Sequence, residues 1–374
     1  MRVNKNRITM GAGTRHFTLR LSRRTCGSPT APQVSAAISS QNMTETKIGI
    51  RLLSADALTI DVDVLALKYA QANYGLDTRA SQILTDGGKD PLEMRPKPNG
   101  FRLVDGVPGI AAQKILFVGV VPLYSFGYAE IRDFSRSVLA ALAGSAPETK
   151  RVALTLHGAG YGLDENEAFE SEVAGLVDAI RSLDFPLDLE EIIVVEGNRG
   201  RARRLQAVLS ELLPSGAIAP TVHRGVELSP DDTEKLRTAG YTSASKDHVF
   251  VAMPFKDEMD DVYHYGIQGA VRSAGFLCER ADLSSFTGDV MDWVRERVRT
   301  ATLVIADLTE ANPNVYLEVG YAWGCGVPTV LLVKDTDHLK FDTQGQRCLP
   351  YIKIKDLEKS LSAELKALKE NGTI

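Results

Sequence analysis

Short apolar runs of strand length alternate with amphipathic runs of helix length along nearly the whole chain, and this alternation constrains the fold more than any other feature. From Lys47 to about His223, the runs KIGIRLLS, VDVLALKY, KILFVGVV, RVALTLHG and EEIIVVEG read as strands. The runs YAEIRDFSRSVLAALAG, ENEAFESEVAGLVDAIRSL and GRARRLQAVLSELLP read as helices between or after them. Strands separated by helices pair in parallel and are covered on both faces. The Pro- and Gly-rich stretch from Asp86 to Gly106 reads as a long loop or hairpin insertion.

Between Arg224 and Asp247 the apolar periodicity fades into polar sequence, the composition of a linker. The alternation then resumes. HVFVAMPF, FLCERAD, TLVIADLT and PTVLLVKD are strands, the segments between them are helices, and a last helix begins near Lys355. The expected fold class is therefore α/β, with two three-layer α/β domains, the carboxyl-terminal one a doubly wound parallel sheet of the flavodoxin type. The expected organisation is an extension over 1–46, a first domain over 47–222, a linker over 223–246 and a second domain over 247–374.

Composition excludes several classes. At 374 residues the chain is long for one core, and 44% hydrophobic with 24% charged residues is the balance of a globular protein. A net charge of −5 offers no global attraction for nucleic acid, and no run approaches the ~18 apolar residues of a membrane helix. Cys26, Cys278, Cys325 and Cys348 form neither a CxxC pair nor a zinc-spaced cluster, so no metal is expected and a reducing cytoplasm fits best. Residues 1–46 carry seven Lys or Arg against one acid, Glu45, and read as a disordered upstream extension before a start near Met43, with a transit peptide as the other reading.

In a doubly wound sheet, ligands bind beyond the carboxyl ends of the strands. There the second domain places Met253, Pro254 and Phe255 after its first strand. Arg280, Asp282 and a polar loop ending at Asp289 follow its second, and Asp307 and Thr309 its third. The segment NPNVYLEVGYAWGCGVP comes next, with Asn312 and Asn314 in a turn and Tyr316 and Glu318 expected on the first helical turn, at the positive end of the dipole. Gly320, Gly324 and Gly326 are expected to bring this helix close to the sheet, and Cys325 to be a small buried residue. The acids of KDEMDD match a helix N-terminus, and His264 reads as a surface or packed histidine.

The combination of MPF with ADLTxxNPNVYLEVGYA, spanning roughly Val249 to Val333, resembles the nucleoside 2-deoxyribosyltransferases and the bacterial TIR-like proteins that share their core. The resemblance implies cleavage of an N-glycosidic bond, with Glu318 the catalytic carboxylate and Asp307 binding ribose hydroxyls or holding the site. It also implies that Asn312 and Asn314 fix sugar or phosphate oxygens, and that Phe255 or Tyr316 stacks on a base. Such a carboxylate stabilises the positive charge that builds on the ribose, or attacks it.

In the first domain, Gly158, Gly160 and Gly162 lie between a strand and a helix, where backbone N–H groups can meet a phosphate or where a tight turn packs the helix closely. His157 before them reads as a core histidine. Arg199, Arg201, Arg203 and Arg204 read as a solvated helix face or an anion site. The opening IRLLSADALTIDVDVLALKY and the glycine loop resemble macro domains, including the macro-like amino-terminal domain of leucine aminopeptidases. That resemblance implies binding of ADP-ribose or a related nucleotide. Together the two imply an NAD-cleaving enzyme of bacterial antiphage defence under a nucleotide-sensing domain. NAD would be its substrate, no cofactor would be required, and the assembly would be a homo-oligomer. A non-catalytic nucleotide-binding protein and a deoxyribosyltransferase are the alternatives.

Overall fold

The computed structural model describes residues 47–218, 230–254, 256–280, 290–334 and 348–374, and residues Glu45–Ile374 form one compact unit. In chain order, its first part runs β1 (Ile48–Leu53), β2 (Val64–Tyr69), α1 (Leu76–Asp86), β3 (Phe101–Asp105) and β4 (Lys114–Gly119). It continues with α2 (Tyr128–Ser145), β5 (Arg151–Thr155), α3 (Glu165–Arg181), β6 (Glu191–Val195), α4 (Arg199–Leu212) and β7 (Ala217–Ile218). After α5 (Pro230–Thr238) come β8 (His248–Ala252), α6 (Asp257–Asp261), a π-helical turn over Val262–Gln268, α7 (Gly269–Ser273) and β9 (Leu277–Glu279). The chain ends with α8 (Val290–Thr300), β10 (Leu303–Asp307), α9 (Pro313–Gly324), β11 (Thr329–Val333), β12 (Cys348–Pro350) and α10 (Ile354–Glu370).

Among the described residues the strands form two sheets. The first has the order β3-β4-β2-β5-β6-β1-β7, parallel throughout except for its edge strands β3 and β7. Alternate residues of β2 feed different cores. Val64 and Ala66 pack with Phe134 and Phe169 of α2 and α3, whereas Leu65 and Leu67 pack with Ala80 and Leu84 of α1. This two-sided burial is why VDVLALKY is apolar without alternation.

The second sheet is wholly parallel, in the order β12-β11-β10-β8-β9. Leu303 and Ile305 of β10 face the helices on one side with Val262, Ile267 and Leu361, while Val304 and Ala306 face Val294, Val298, Val315 and Val319 on the other. Both sheets are thus covered on two faces, as the α/β reading requires.

Three local features differ from the sequence reading. Helix α1 had no counterpart in it, because its buried stripe of Asp77, Ala80, Ser81 and Leu84 is half polar and hides from an apolar search. The segment from Asp86 to Gly106 contains a short helical turn at Pro91–Met94 and the edge strand β3, which pairs antiparallel with β4. Helix α5 stands within the stretch expected to be a linker. Leu236 and Ala239 are buried at its end, and Nη1 of Arg132 donates to the carbonyls of Arg237 and Ala239.

A buried polar seam joins the two sheets. The Tyr128 hydroxyl donates to Glu279 Oε1 at 2.8 Å and accepts from the Asp164 backbone N–H at 2.9 Å. Arg297 Nε donates to the other oxygen of Glu279 at 2.7 Å. Arg280 N–H donates to the Gly162 carbonyl at 3.0 Å. One apolar cluster runs past this seam, from Leu154 and Phe169 to Phe250 and Leu277.

Candidate active site

Strands β8 and β10 are neighbours, yet the chain leaves them on opposite faces of the sheet. The segment after β8 packs Val262 and Ile267 against α10, and α9 after β10 packs Val315, Val319 and Ala322 on the other side. That divergence makes the carboxyl ends of these two strands the switch point of the sheet, where sheets of this kind form a crevice that takes ligands.

The α9 lip is set by its cap. Asn312 Oδ1 accepts the N–H of Asn314 at 2.9 Å, and Pro313 occupies the first helical position. Asn312 and Asn314 therefore build the helix end, with Asn314 exposed. Tyr316 lies in the first turn, but Glu318 lies in the second, a turn deeper than the sequence reading put it. At 1.5 Å per residue Glu318 sits about 9 Å along the axis from Asn312.

Glu318 occupies the inward stripe Val315, Glu318, Val319 and Ala322, where helical spacing calls for an apolar residue. It is 9% exposed and makes no hydrogen bond or ion pair among the described residues. Burial alone pushes its carboxyl up to about 8. The Tyr316 hydroxyl is also buried, with no partner among the described residues. Buried polar groups in folded proteins are almost always satisfied, so the Tyr316 hydroxyl stands out on the same helix that carries Glu318.

Asp307 is placed differently. It is fully buried, and both its carboxylate oxygens are taken: Oδ1 accepts the Thr309 N–H at 2.9 Å and Oδ2 accepts the Tyr351 hydroxyl at 2.6 Å. These bonds tie the end of β10 to the residue that follows β12, the holding role that was one of the two expected for Asp307. Thr309 extends the tie, its hydroxyl accepting the N–H of Lys334 at 3.1 Å. Burial raises both the Asp307 carboxyl and the Tyr351 hydroxyl.

Met253 and Pro254 are buried at the end of β8 and present little surface. Arg280, after β9, holds the same corner. Its guanidinium lies 4.4 Å from the Tyr263 ring centroid, donates to Asp260 Oδ1 at 3.0 Å and meets Met253 Sδ at 3.7 Å. Across the mouth, Lys256 Nζ of the β8 lip pairs with Glu310 Oε2 of the β10 lip at 2.6 Å. Neither residue of this pair stood out in the sequence, because a lysine in KDEMDD and a glutamate in LTEANP carry no motif. Phe255, Asp282 and Asp289 lie outside the described residues.

The glycines expected behind the crevice are elsewhere. A Cβ on Gly320, Gly324 or Gly326 would meet nothing within 4 Å, so they do not mediate close packing on the sheet. Gly326 instead ends the helix with φ of +74°. Cys325 is exposed rather than buried.

In the first sheet, Gly158 and Gly162 have φ of +84° and +103°, and a Cβ on Gly158 would come within 2.7 Å of Leu163 Cδ1. These two serve the turn itself, whereas Gly160 faces open space. The anion position at the start of α3 is filled by the protein. Asp164 Oδ1 accepts the N–H groups of Asn166 and Glu167, and its carboxylate is held by Arg272. A phosphate cannot take that N-terminus without displacing an internal carboxylate.

Of the four arginines on α4, Arg199 and Arg203 are exposed, while Arg204 pairs with Glu165 at 2.7 Å and Arg201 with Glu196 at 3.2 Å. His157 is a core histidine, 4.5 Å from the Phe134 ring, and burial drives its pKa well below the usual value. His264 is half-buried, 3.8 Å from Glu165. Among the described residues no cluster of three or more His, Cys, Asp or Glu could hold a metal, and no helix is long and apolar enough to cross a membrane.

No protein-family model matches the chain, and no curated protein is similar to it in sequence. Solved structures are similar at a distance. A macrodomain of Oceanobacillus iheyensis is 11% identical over 46% of this chain and 96% of its own, with a TM-score of 0.36. A macrodomain of Trypanosoma brucei in complex with ADP-ribose is 14% identical over 43% of this chain and 69% of its own, with a TM-score of 0.35. The macrodomain similarity falls on the amino-terminal part. The CMP N-glycosidase of Clostridium botulinum is 17% identical over 32% of this chain and 99% of its own, with a TM-score of 0.28. Likenesses this distant carry nothing further about what the chain binds.

Proposed function

We propose that this protein cleaves the N-glycosidic bond of a nucleotide, that the nucleotide is NAD, and that Glu318 is the catalytic residue. The observation that carries this reading is the carboxyl of Glu318, without a partner among the described residues and nine-tenths buried on the inward stripe of α9 by the switch point of the sheet.

The chemistry follows from that burial. With its carboxyl raised to about 8, unliganded Glu318 is mostly neutral at pH 7. NAD brings a pyridinium cation to the site, and a positive charge within contact distance favours the carboxylate. The charge of the substrate thus generates the group the reaction needs. As the C1′–N bond breaks, its electron pair leaves with nicotinamide, positive charge moves to the ribose, and the carboxylate stabilises it. Water then adds to C1′ and releases a proton, leaving ADP-ribose.

In this reading the amino-terminal half senses a nucleotide and controls cleavage, with antiphage defence in the cytoplasm as the setting that the resemblance implies. The link between Gly162 and Arg280 supports such control, because it joins the glycine loop of one sheet to a residue at the crevice of the other.

The test is nicotinamide release from NAD by purified protein, wild type beside Glu318→Gln, with and without added nucleotides. Release that vanishes in the variant supports the proposal. No release under any condition from folded protein, or base exchange between deoxynucleosides instead, overturns it.

A further inference from the structure

The mouth of the crevice holds basic side chains and its depth a buried carboxyl. Lys256 and Glu310 form an ion pair from lip to lip, at 2.6 Å, with side chains 55% and 27% exposed. Each belongs to a different departure from the sheet, Lys256 leading into α6 and Glu310 into α9. Two further cations stand at the carboxyl ends of flanking strands: Lys334 after β11, with Nζ 5.8 Å from the Tyr351 ring centroid, and Arg280 after β9. A turn below lies Glu318, unpartnered among the described residues, where only a neutral or cationic group is welcome.

A ligand that fits this gradient carries an anion at one end and a developing cation at the other. Nucleotides have that shape, with a phosphate on the 5′ carbon and the scissile bond at C1′. Exposed ion pairs hold weakly, typically by 1 kcal/mol or less, so an incoming phosphate displaces the carboxylate from the lysine at little cost. Charge-assisted bonds to phosphate are the stronger kind.

We infer that Lys256 is a specificity residue that exchanges Glu310 for a 5′-phosphate of the ligand, so that the site takes nucleotides in preference to nucleosides. The inference rests on the glycosidase reading for the orientation of the ligand, with phosphate at the mouth and C1′ at Glu318. Release of Glu310 also unties the two lips, so that the same event that seats the phosphate opens the crevice.

The experiment compares nicotinamide riboside with nicotinamide mononucleotide, which differ only by the 5′-phosphate. Binding is measured calorimetrically to the full chain carrying Glu318→Gln, and base release is measured with Glu318 intact. The mononucleotide is expected to bind at least ~10-fold tighter, a difference of about 1.4 kcal/mol. In the same background, Lys256→Met lowers the mononucleotide to the affinity of the riboside, Lys256→Arg restores the preference, and Glu310→Gln tightens the mononucleotide by removing its competitor.

Equal affinity for the two compounds, a preference that survives Lys256→Met, or no measurable binding of either overturns the inference. The two readings separate cleanly. A phosphate preference that depends on Lys256, without base release from either compound, leaves the inference standing and removes the glycosidase. Base release that ignores both the phosphate and Lys256 does the reverse.

Discussion

Arg272 and Asp164 meet in a two-pronged ion pair, with Arg272 Nε and Nη2 donating to Asp164 Oδ2 and Oδ1 at 2.9 and 2.6 Å. Asp164 caps α3 in the first half of the molecule and Arg272 lies on α7 in the second. The aspartate side chain is 1% exposed. Removing the arginine would strand a buried carboxylate, and breaking such pairs costs about 3–5 kcal/mol. Arg272→Ala is therefore expected to lose about 3 kcal/mol in urea unfolding, in a single transition for both sheets. A loss confined to one of two separate transitions would show that the pair does not couple them.

Glu318 links stability to pH with a definite sign. Its carboxyl titrates near 4.5 when unfolded and at about 8 when folded. Below 4.5 it is protonated in both states and burial costs no charge. Between 4.5 and 8 the unfolded chain gives up the proton first, so stability falls as pH rises, and above 8 the loss is complete. Glu318→Gln abolishes this dependence. The variant should match the wild type near pH 5 and exceed it at pH 9 by on the order of 3–5 kcal/mol, the full shift at 1.36 kcal/mol per unit. Equal urea midpoints at both pH values would mean that the carboxyl is solvated.

Tyr351 positions the end of β10 through Asp307. Tyr351→Phe removes one of the two donors to a fully buried carboxylate, which should cost about 1–3 kcal/mol. Adding Asp307→Asn should recover part of that loss, since a neutral amide tolerates the missing hydroxyl. If nicotinamide is released, Tyr351→Phe should lower kcat and leave KM for NAD nearly unmoved, because Tyr351 touches the strand end and not the ligand. Additive losses in the double variant would sink the idea that the two act as a unit.

Lys68 and Asp77 form a pair buried on both sides, at 2.9 Å with side chains 4% and 3% exposed. Lys68→Met alone should destabilise by about 3–5 kcal/mol, while Lys68→Met together with Asp77→Leu should recover most of it. Thermal melts of the single and double variants decide the matter. A double variant no better than the single would mean that the pair does more than neutralise itself.

Much of this architecture was legible in the sequence because two-sided burial writes itself as uninterrupted apolar runs. Strands β2, β8 and β10 stand out for that reason, and the segment after β10 could be placed at a strand end before any coordinates. What stayed hidden depended on pairing across long separations. Tyr351 reaches Asp307 over 44 positions, and Arg272 reaches Asp164 over 108. The carboxylate that occupies the start of α3 stayed hidden for the same reason, since Asp164 is held there by a partner in the other sheet. Glu318 stood out in the sequence by the company it keeps. The depth that sets its protonation came only from the inward stripe of α9.

The bond from the amide of Arg280 to the carbonyl of Gly162 is made by backbone on both sides. No exchange of side chains at position 280 can remove it, proline excepted. Descendants of this sequence are thus free to rewrite Arg280, and with it the chemistry of the crevice corner, while the glycine turn keeps its anchorage on β9. Attachment and specificity can drift independently here, and the attachment is the part that is hard to lose.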